Sequence, residues 1–226
     1  MELNAKYYLG VDVAGSKNTW FTIIKHSNGK LHLLQPPDIT SFNALLDIGN
    51  KLGGFHAIAI DAPLSEDVVS ESGMRPCEKA LRIELENGGN PNWIMSQNSM
   101  MAVPTRGRSI ASLLALYSGT IIETHPTVCL HRTLGNIPSY KKASGNNDIH
   151  SLVLRWLDST NLIIDTEPDW FEKDGSLDSL VCACVSFLYI QSPDSLENLS
   201  LKDLADSGAF KMRGHHPFII TKKPYI

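Results

Sequence analysis

Lys6-Tyr7-Tyr8-Leu9-Gly10-Val11-Asp12-Val13, followed by Ala14-Gly15-Ser16, is the stretch that decides the fold. The run is apolar on both faces, the pattern of a strand covered by helices on each side, and the Ala-Gly-Ser step is a turn signal. Residues 19–24 and 31–34 read as two further strands, separated by Ser27-Asn28-Gly29, so the chain opens with a three-stranded meander. Residues 41–50 read as a helix, with Ser41 as N-cap and Gly53-Gly54 ending it. Residues 55–61 (FHAIAID) form another buried strand, stopped by Pro63. Ile121 and Ile122 form the core of one more, which ends in Glu123 before Pro126 starts a helix at its favoured first-turn position. An antiparallel meander followed by strands alternating with helices predicts an α/β sheet.

Further out, the pattern weakens. Residues 65–105 are polar and rich in Gly and Asn, and only 76–86 reads as helical within them. A long irregular insertion of that kind is usually functional or mobile. Helices are expected over 148–159 and 174–190, and the whole of 1–226 is read as a single domain. Hydrophobic residues make up 42% and charged residues 19% of the 226, enough for one sizeable core and outside the range of a disordered chain. The four cysteines show neither a C-x-x-C pair nor a disulfide spacing, so buried, inert thiols are expected. The N-terminal MELNAKYYLG lacks the basic and apolar regions of a secretory signal, and no run is long enough to span a bilayer; a cytoplasmic protein with no membrane partner is expected.

The net charge is −4, from 20 Lys and Arg against 24 Asp and Glu, so there is no global pull toward nucleic acid or anionic lipid. The charge is unevenly spread, however. Residues 87–122, 124–147 and 207–226 contain no acid. A basic surface facing an acidic centre would result if those stretches converged.

Three carboxylates stand in surroundings that do not suit them. Asp12 interrupts Val11 and Val13, Asp61 closes Ile58-Ala59-Ile60, and Asp178 lies near the start of a helix that is apolar nearly all round. Burying an ionised carboxylate without a partner costs several kcal/mol, on the order of the whole stability of a domain. Glu123 at the end of its strand adds to the set. So does Asp174, four residues before Asp178 and on the same helix face. Carboxylates converging at strand ends are reconciled by a hard divalent cation, Mg2+ or Mn2+, which suits phosphodiester chemistry. The plainer readings are a cap or first-turn acid for Asp174 and Asp178, a helix-start acid for Glu123 and a turn for Asp61; Asp12 has none as good. In Met74-Arg75-Pro76-Cys77-Glu78-Lys79-Ala80-Leu81-Arg82, Glu78 and Arg82 have the spacing of an intrahelical pair. Arg75 and Arg82 are also candidates to grip phosphate oxygens, together with Arg106 and Arg108.

Taken in order, GVDVAG, IAIDAPL, RPCEKALR, IIETHP and LDSLVCA resemble the domain of unknown function 429 family, a group regarded as RNase H-like nucleases largely on fold analogy. The resemblance implies an RNase H-like mixed sheet, three antiparallel strands then parallel ones, flanked by helices on both faces, with FIITKKP as a closing strand. It implies that Asp12, Asp61 and Asp178 hold the metal, and that Glu123 matches the family's acid after the fifth strand. Two positions depart from the family pattern: Glu78 stands where Asp is usual, and Ser179 follows Asp178 where Ala is usual. The expected function is a metal-dependent nuclease acting on nucleic acid without sequence specificity. One rival is a non-catalytic binding protein that kept the fold. Another is an actin-like or sugar-kinase-type phosphotransferase, in which Ser16 and Lys17 of GVDVAGSKN would touch ATP phosphates; it lacks a second phosphate loop.

Overall fold

The computed structural model describes residues 5–14, 19–67, 71–138, 140–142, 146–201, 212–213 and 216–223. Strands β1 (Lys6–Asp12), β2 (Trp20–Ser27) and β3 (Lys30–Ile39) form the meander, and helix α1 (Phe42–Leu52) leads to β4 (Ala57–Asp61) and the short β5 (Glu66–Asp67). Helices α2 (Pro76–Glu86) and α3 (Val103–Leu114) precede β6 (Ile121–Glu123). Then come α4 (Pro126–Leu134), α5 (Asn146–Ser159), α6 (Asp174–Gln191), β7 (Leu196–Asn198), β8 (Met212–Arg213) and β9 (Ile219–Thr221). The central sheet has the order β3-β2-β1-β4-β6. Its first three strands are antiparallel, while β1, β4 and β6 are parallel. This is the mixed α/β sheet expected from the sequence, and it is consistent with an RNase H-like fold.

Side-chain alternation divides the strands between two cores. Leu9, Val11, Ile58 and Ile60 face α1 and α3, where they meet Leu45, Ile110 and Leu114. Tyr8, Ala57 and Ala59 face the opposite way, toward Leu180, Val181 and Trp156 of α6 and α5. Asp12 and Asp61 continue that second parity, four positions on from Tyr8 and Ala57, and are partners in the parallel register. Helix α6, buried along most of its length, crosses this face.

Gly10 permits the crossing. A Cβ there would lie 2.1 Å from the Ser179 carbonyl oxygen and 2.2 Å from the Ala183 nitrogen. Ser179 uses the close approach, its hydroxyl lying 2.8 Å from Thr22 Oγ1. The departure from the family's usual Ala is thus matched by a polar partner on β2. Gly10→Ala forces α6 backbone away from β1 and is expected to cost about 2–3 kcal/mol, measured by urea denaturation.

Several boundaries match the expectations. Ser41 Oγ accepts from Ala44 N at 3.3 Å, and Gly53 closes α1 at φ 72°. Strand β3 runs on to Ile39 through Pro36 and Pro37, which is tolerated because β3 is an edge strand. Within 65–105, α2 forms where expected, and two short 3-10 turns, Pro91–Trp93 and Gln97–Met100, follow it. Helix α3 forms where the sequence pattern predicts no helix. Thr105, Gly107, Ser109 and Ser112 are weak helix formers, and burial of Ile110, Ala111 and Leu114 outweighs them. In the tail, Phe218 bridges Glu123 in parallel fashion and β9 pairs with β7. The four cysteines are free and buried, and no helix among the described residues is long and apolar enough to cross a membrane.

Candidate metal centre

Asp12 ends β1, Asp61 ends β4, and Asp178 lies one turn into α6. Parallel register sets the first two side by side. The helix brings the third over them, and Gly175 lets it come close: a Cβ there would lie 2.8 Å from Asp12 Oδ2. One oxygen from each of the three carboxylates lies within 4.8 Å of the others. Burial and the neighbouring Asp178 and Asp61 carboxylates push Asp12 well above the usual carboxylate range. Asp61 is pushed up to about 7, chiefly by burial, with Lys141 pulling it down and Asp178 and Glu123 pushing it up. A converging set of oxygen donors that repel one another is a fit for a hard divalent cation, so this cluster can hold a metal ion.

Asp178 is positioned by residues the sequence did not single out for the site. Tyr140 Oη donates to Asp178 Oδ1 at 2.8 Å; that proton being committed, Thr127 Oγ1 must donate to Tyr140 Oη at 2.7 Å. Lys141 Nζ lies 3.3 Å from Asp178 Oδ2, with 44% of its side chain exposed. The Asp178, Asp61 and Asp12 charges raise the Lys141 ammonium above its ordinary value, so it stays charged beside the cluster.

Glu123 stands apart from the three. Its Oε1 accepts from Arg75 Nη2 at 2.5 Å, and its Oε2 accepts from Arg75 Nη1 and from Leu64 N, both at 2.8 Å. It therefore ties the end of β6 to the segment after Asp61. Arg75 is 1% exposed and also donates to Glu78 Oε1 at 2.7 Å and Ser65 Oγ at 2.8 Å. Glu78 closes the start of α2 by accepting from Arg75 N at 2.7 Å, so the longer acid serves both helix and guanidinium. Its partner is Arg75 and not the Arg82 that helical spacing suggested.

The other candidates lie further off. Asp174 is the first residue of α6, and its charge adds to the upward push on Asp12, but it is not one of the three clustered carboxylates. Arg82 Nη1 donates to the Ile94 carbonyl at 2.9 Å. Arg106 sits over the Phe42 ring at 5.4 Å, and Arg108 Nη1 pairs with Glu66 at 3.3 Å. Lys17 and Ser16 lie outside the described residues. Of the basic residues in the acid-free stretches, Arg132 is held by Glu84 and Glu197, Lys223 by Glu84, and Lys141 reaches Asp178.

A cavity of about 210 Å3 opens at the cluster, lined by Asp12, Asp61, Glu123, His125, Trp93 and Lys141 among others. His125 Nε2 lies 3.2 Å from the Trp93 carbonyl, which can only accept, so the ring is the Nε2–H tautomer when neutral. Burial and then the Lys141 charge lower its pKa, favouring that neutral form.

Residues 10–189 match the family described as "Protein of unknown function (DUF429)". The chain belongs to the DUF429 family. Neither the curated proteins nor the solved structures gave a match. The matched span contains all three clustered aspartates of this DUF429 chain, along with Arg75, Glu123 and Lys141.

Proposed function

We propose that this DUF429 protein is a metal-dependent phosphodiesterase acting on nucleic acid, with Mg2+ or Mn2+ held by Asp12, Asp61 and Asp178. The observation carrying the reading is the side-by-side register of Asp12 and Asp61, both lining an open cavity, with an oxygen of Asp178 within 4.8 Å of theirs. A divalent ion held there supplies charge neutralisation for a phosphate and acidifies a water. In hydrolysis the water oxygen adds to phosphorus, the bond to the leaving ester oxygen breaks, and that oxygen takes up a proton. Lys141 is the exposed cation at the rim and is assigned to a substrate phosphate oxygen. Arg75 and Glu123 are assigned to holding the end of β6 against the segment that carries Asp61. Asp174 contributes charge near Asp12, and Arg106, Arg108 and Lys17 are assigned to the outer path of the strand.

The test is hydrolysis of labelled single- and double-stranded DNA and RNA with Mn2+ or Mg2+, by the wild-type protein and by Asp178→Asn. Cleavage that needs the cation and falls at least about hundredfold in the variant is expected. Equal cleavage by Asp178→Asn contradicts the reading.

A second reading, a binding protein without turnover, is favoured by one observation. The Lys141 ammonium already offsets part of the cluster's charge without a metal. Lys141→Met separates the two. If Lys141 serves a phosphate, the variant binds Mn2+ more tightly, by roughly tenfold or less because the ammonium is partly solvated, yet cleaves more slowly. If Lys141 is the resident counter-ion of an inactive fold, the variant binds metal and no cleavage accompanies either form.

A further inference from the structure

Beside the carboxylate cavity lies a second one of about 400 Å3, and Trp93 and Lys141 line both. Its remaining walls include Asn90, His131, Asn136 and Ile137. The size falls in the range of small-molecule sites, and the lining joins one indole, one imidazole and two amides.

Trp93 packs against the core and is fixed through the backbone on either side of it. It sits in the 3-10 turn Pro91–Trp93, whose start is fixed by Asn90 Oδ1 accepting from Asn92 N at 3.0 Å. Its carbonyl is gripped by His125 at 3.2 Å, and the next carbonyl, of Ile94, by Arg82 at 2.9 Å. The turn is thereby clamped between α2 and the start of α4. The His131 ring stands edge-on to the indole at 5.6 Å and 65°, and its Nδ1 is buried with no hydrogen-bond partner. A pre-positioned aromatic platform sharing walls with a centre for phosphate chemistry suits a flat heteroaromatic ring.

We propose that this cavity is a nucleobase subsite, in which one base of the substrate strand lies against Trp93 while its phosphate is at the carboxylates. The choice of ligand rests on the phosphodiesterase reading. Stacking on an indole accepts any base, and the two amides at the rim give few fixed contacts, so the subsite is base-tolerant. Arg82 and His125 then act as positioning residues for Trp93.

The test uses adenosine and cytidine 5′-monophosphates against ribose 5-phosphate and inorganic phosphate, all with EDTA present, followed by calorimetry and saturation-transfer NMR. Both nucleotides are expected to bind, with ribose 5-phosphate at least about tenfold weaker. Trp93→Phe retains most of the affinity, and Trp93→Ala loses about tenfold or more. Ribose 5-phosphate binding as well as the nucleotides overturns the proposal, and so does unchanged nucleotide binding by Trp93→Ala. If Trp93→Ala does not fold, the comparison of ligands on the wild-type protein decides alone. Metal-dependent cleavage without base binding sinks the subsite and leaves the phosphodiesterase reading standing; base binding without cleavage does the reverse.

Discussion

Asp61→Asn is expected to raise the melting temperature of the metal-free protein at pH 8 and to leave it nearly unchanged near pH 4. The folded protein pushes the Asp61 carboxyl up to about 7, above its value of about 3.9 in an unfolded chain. An acid shifted upward contributes its stability when protonated. That contribution is complete below about pH 4 and is lost as the pH rises through about 7. At pH 8 the wild-type protein therefore carries the repulsion of Asp61 with Asp178 and the cost of its burial, and the amide removes both. Discounting for solvent and for Lys141, which offsets part of the charge, the gain is on the order of 1–3 kcal/mol. Paired melts of wild-type and variant protein in EDTA at pH 4 and 8 check this, since titrating groups remote from the cluster cancel in the difference. The same variant loses any stabilisation by added Mn2+. An ordinary surface carboxylate would show no gain at either pH. In the wild-type protein the proton and the cation compete for one group, so Mn2+ binding is expected to weaken as the pH falls below about 7.

Arg75→Met is expected to destabilise the fold by about 3–5 kcal/mol, the usual result of stripping one partner from a buried ion pair. The guanidinium is 1% exposed and serves Glu123, Glu78 and Ser65 together. Removing it leaves two buried carboxylates facing each other, whereas replacing either acid leaves Arg75 the other. Glu123→Gln is accordingly milder, at about 1–3 kcal/mol, because the amide oxygen still accepts and Glu78 still balances the charge. Urea denaturation of the two variants gives this order. A guanidinium whose main task was gripping substrate would leave the unfolding free energy unchanged and raise KM instead.

The sequence made the three aspartates legible because each breaks an apolar pattern: Asp12 and Asp61 at strand ends, Asp178 on a buried helix. Their convergence rests on the parallel pairing of β1 with β4 and on the close crossing of α6 at Gly10, which are tertiary features. What sequence spacing does not encode is who pays court to each charge across the fold. Arg75 and Glu123 are 48 residues apart, and Tyr140 and Asp178 are 38 apart. Nothing local in Arg75-Pro76-Cys77-Glu78 distinguishes a phosphate clamp from a buried tie. The same applies to Arg82, Arg106 and Arg108, whose partners are a carbonyl, a ring face and Glu66. Lys141 and Tyr140 lie in a polar stretch with no periodicity, so their role emerges only from the tertiary contacts. Helix α3 escaped for a different reason: burial overrides the weak propensities of its Thr, Gly and Ser residues.

The central claim is that Asp12, Asp61 and Asp178 together hold a divalent cation. Calorimetric titration of Mn2+ at pH 8 into the wild-type protein and into Asp12→Asn, each with and without a short oligonucleotide, tests it most directly. The account predicts saturable binding by the wild-type protein and its loss in a variant that melts at least as high in EDTA. Equal binding by Asp12→Asn, or no binding by the wild-type protein even with the oligonucleotide present, would contradict it.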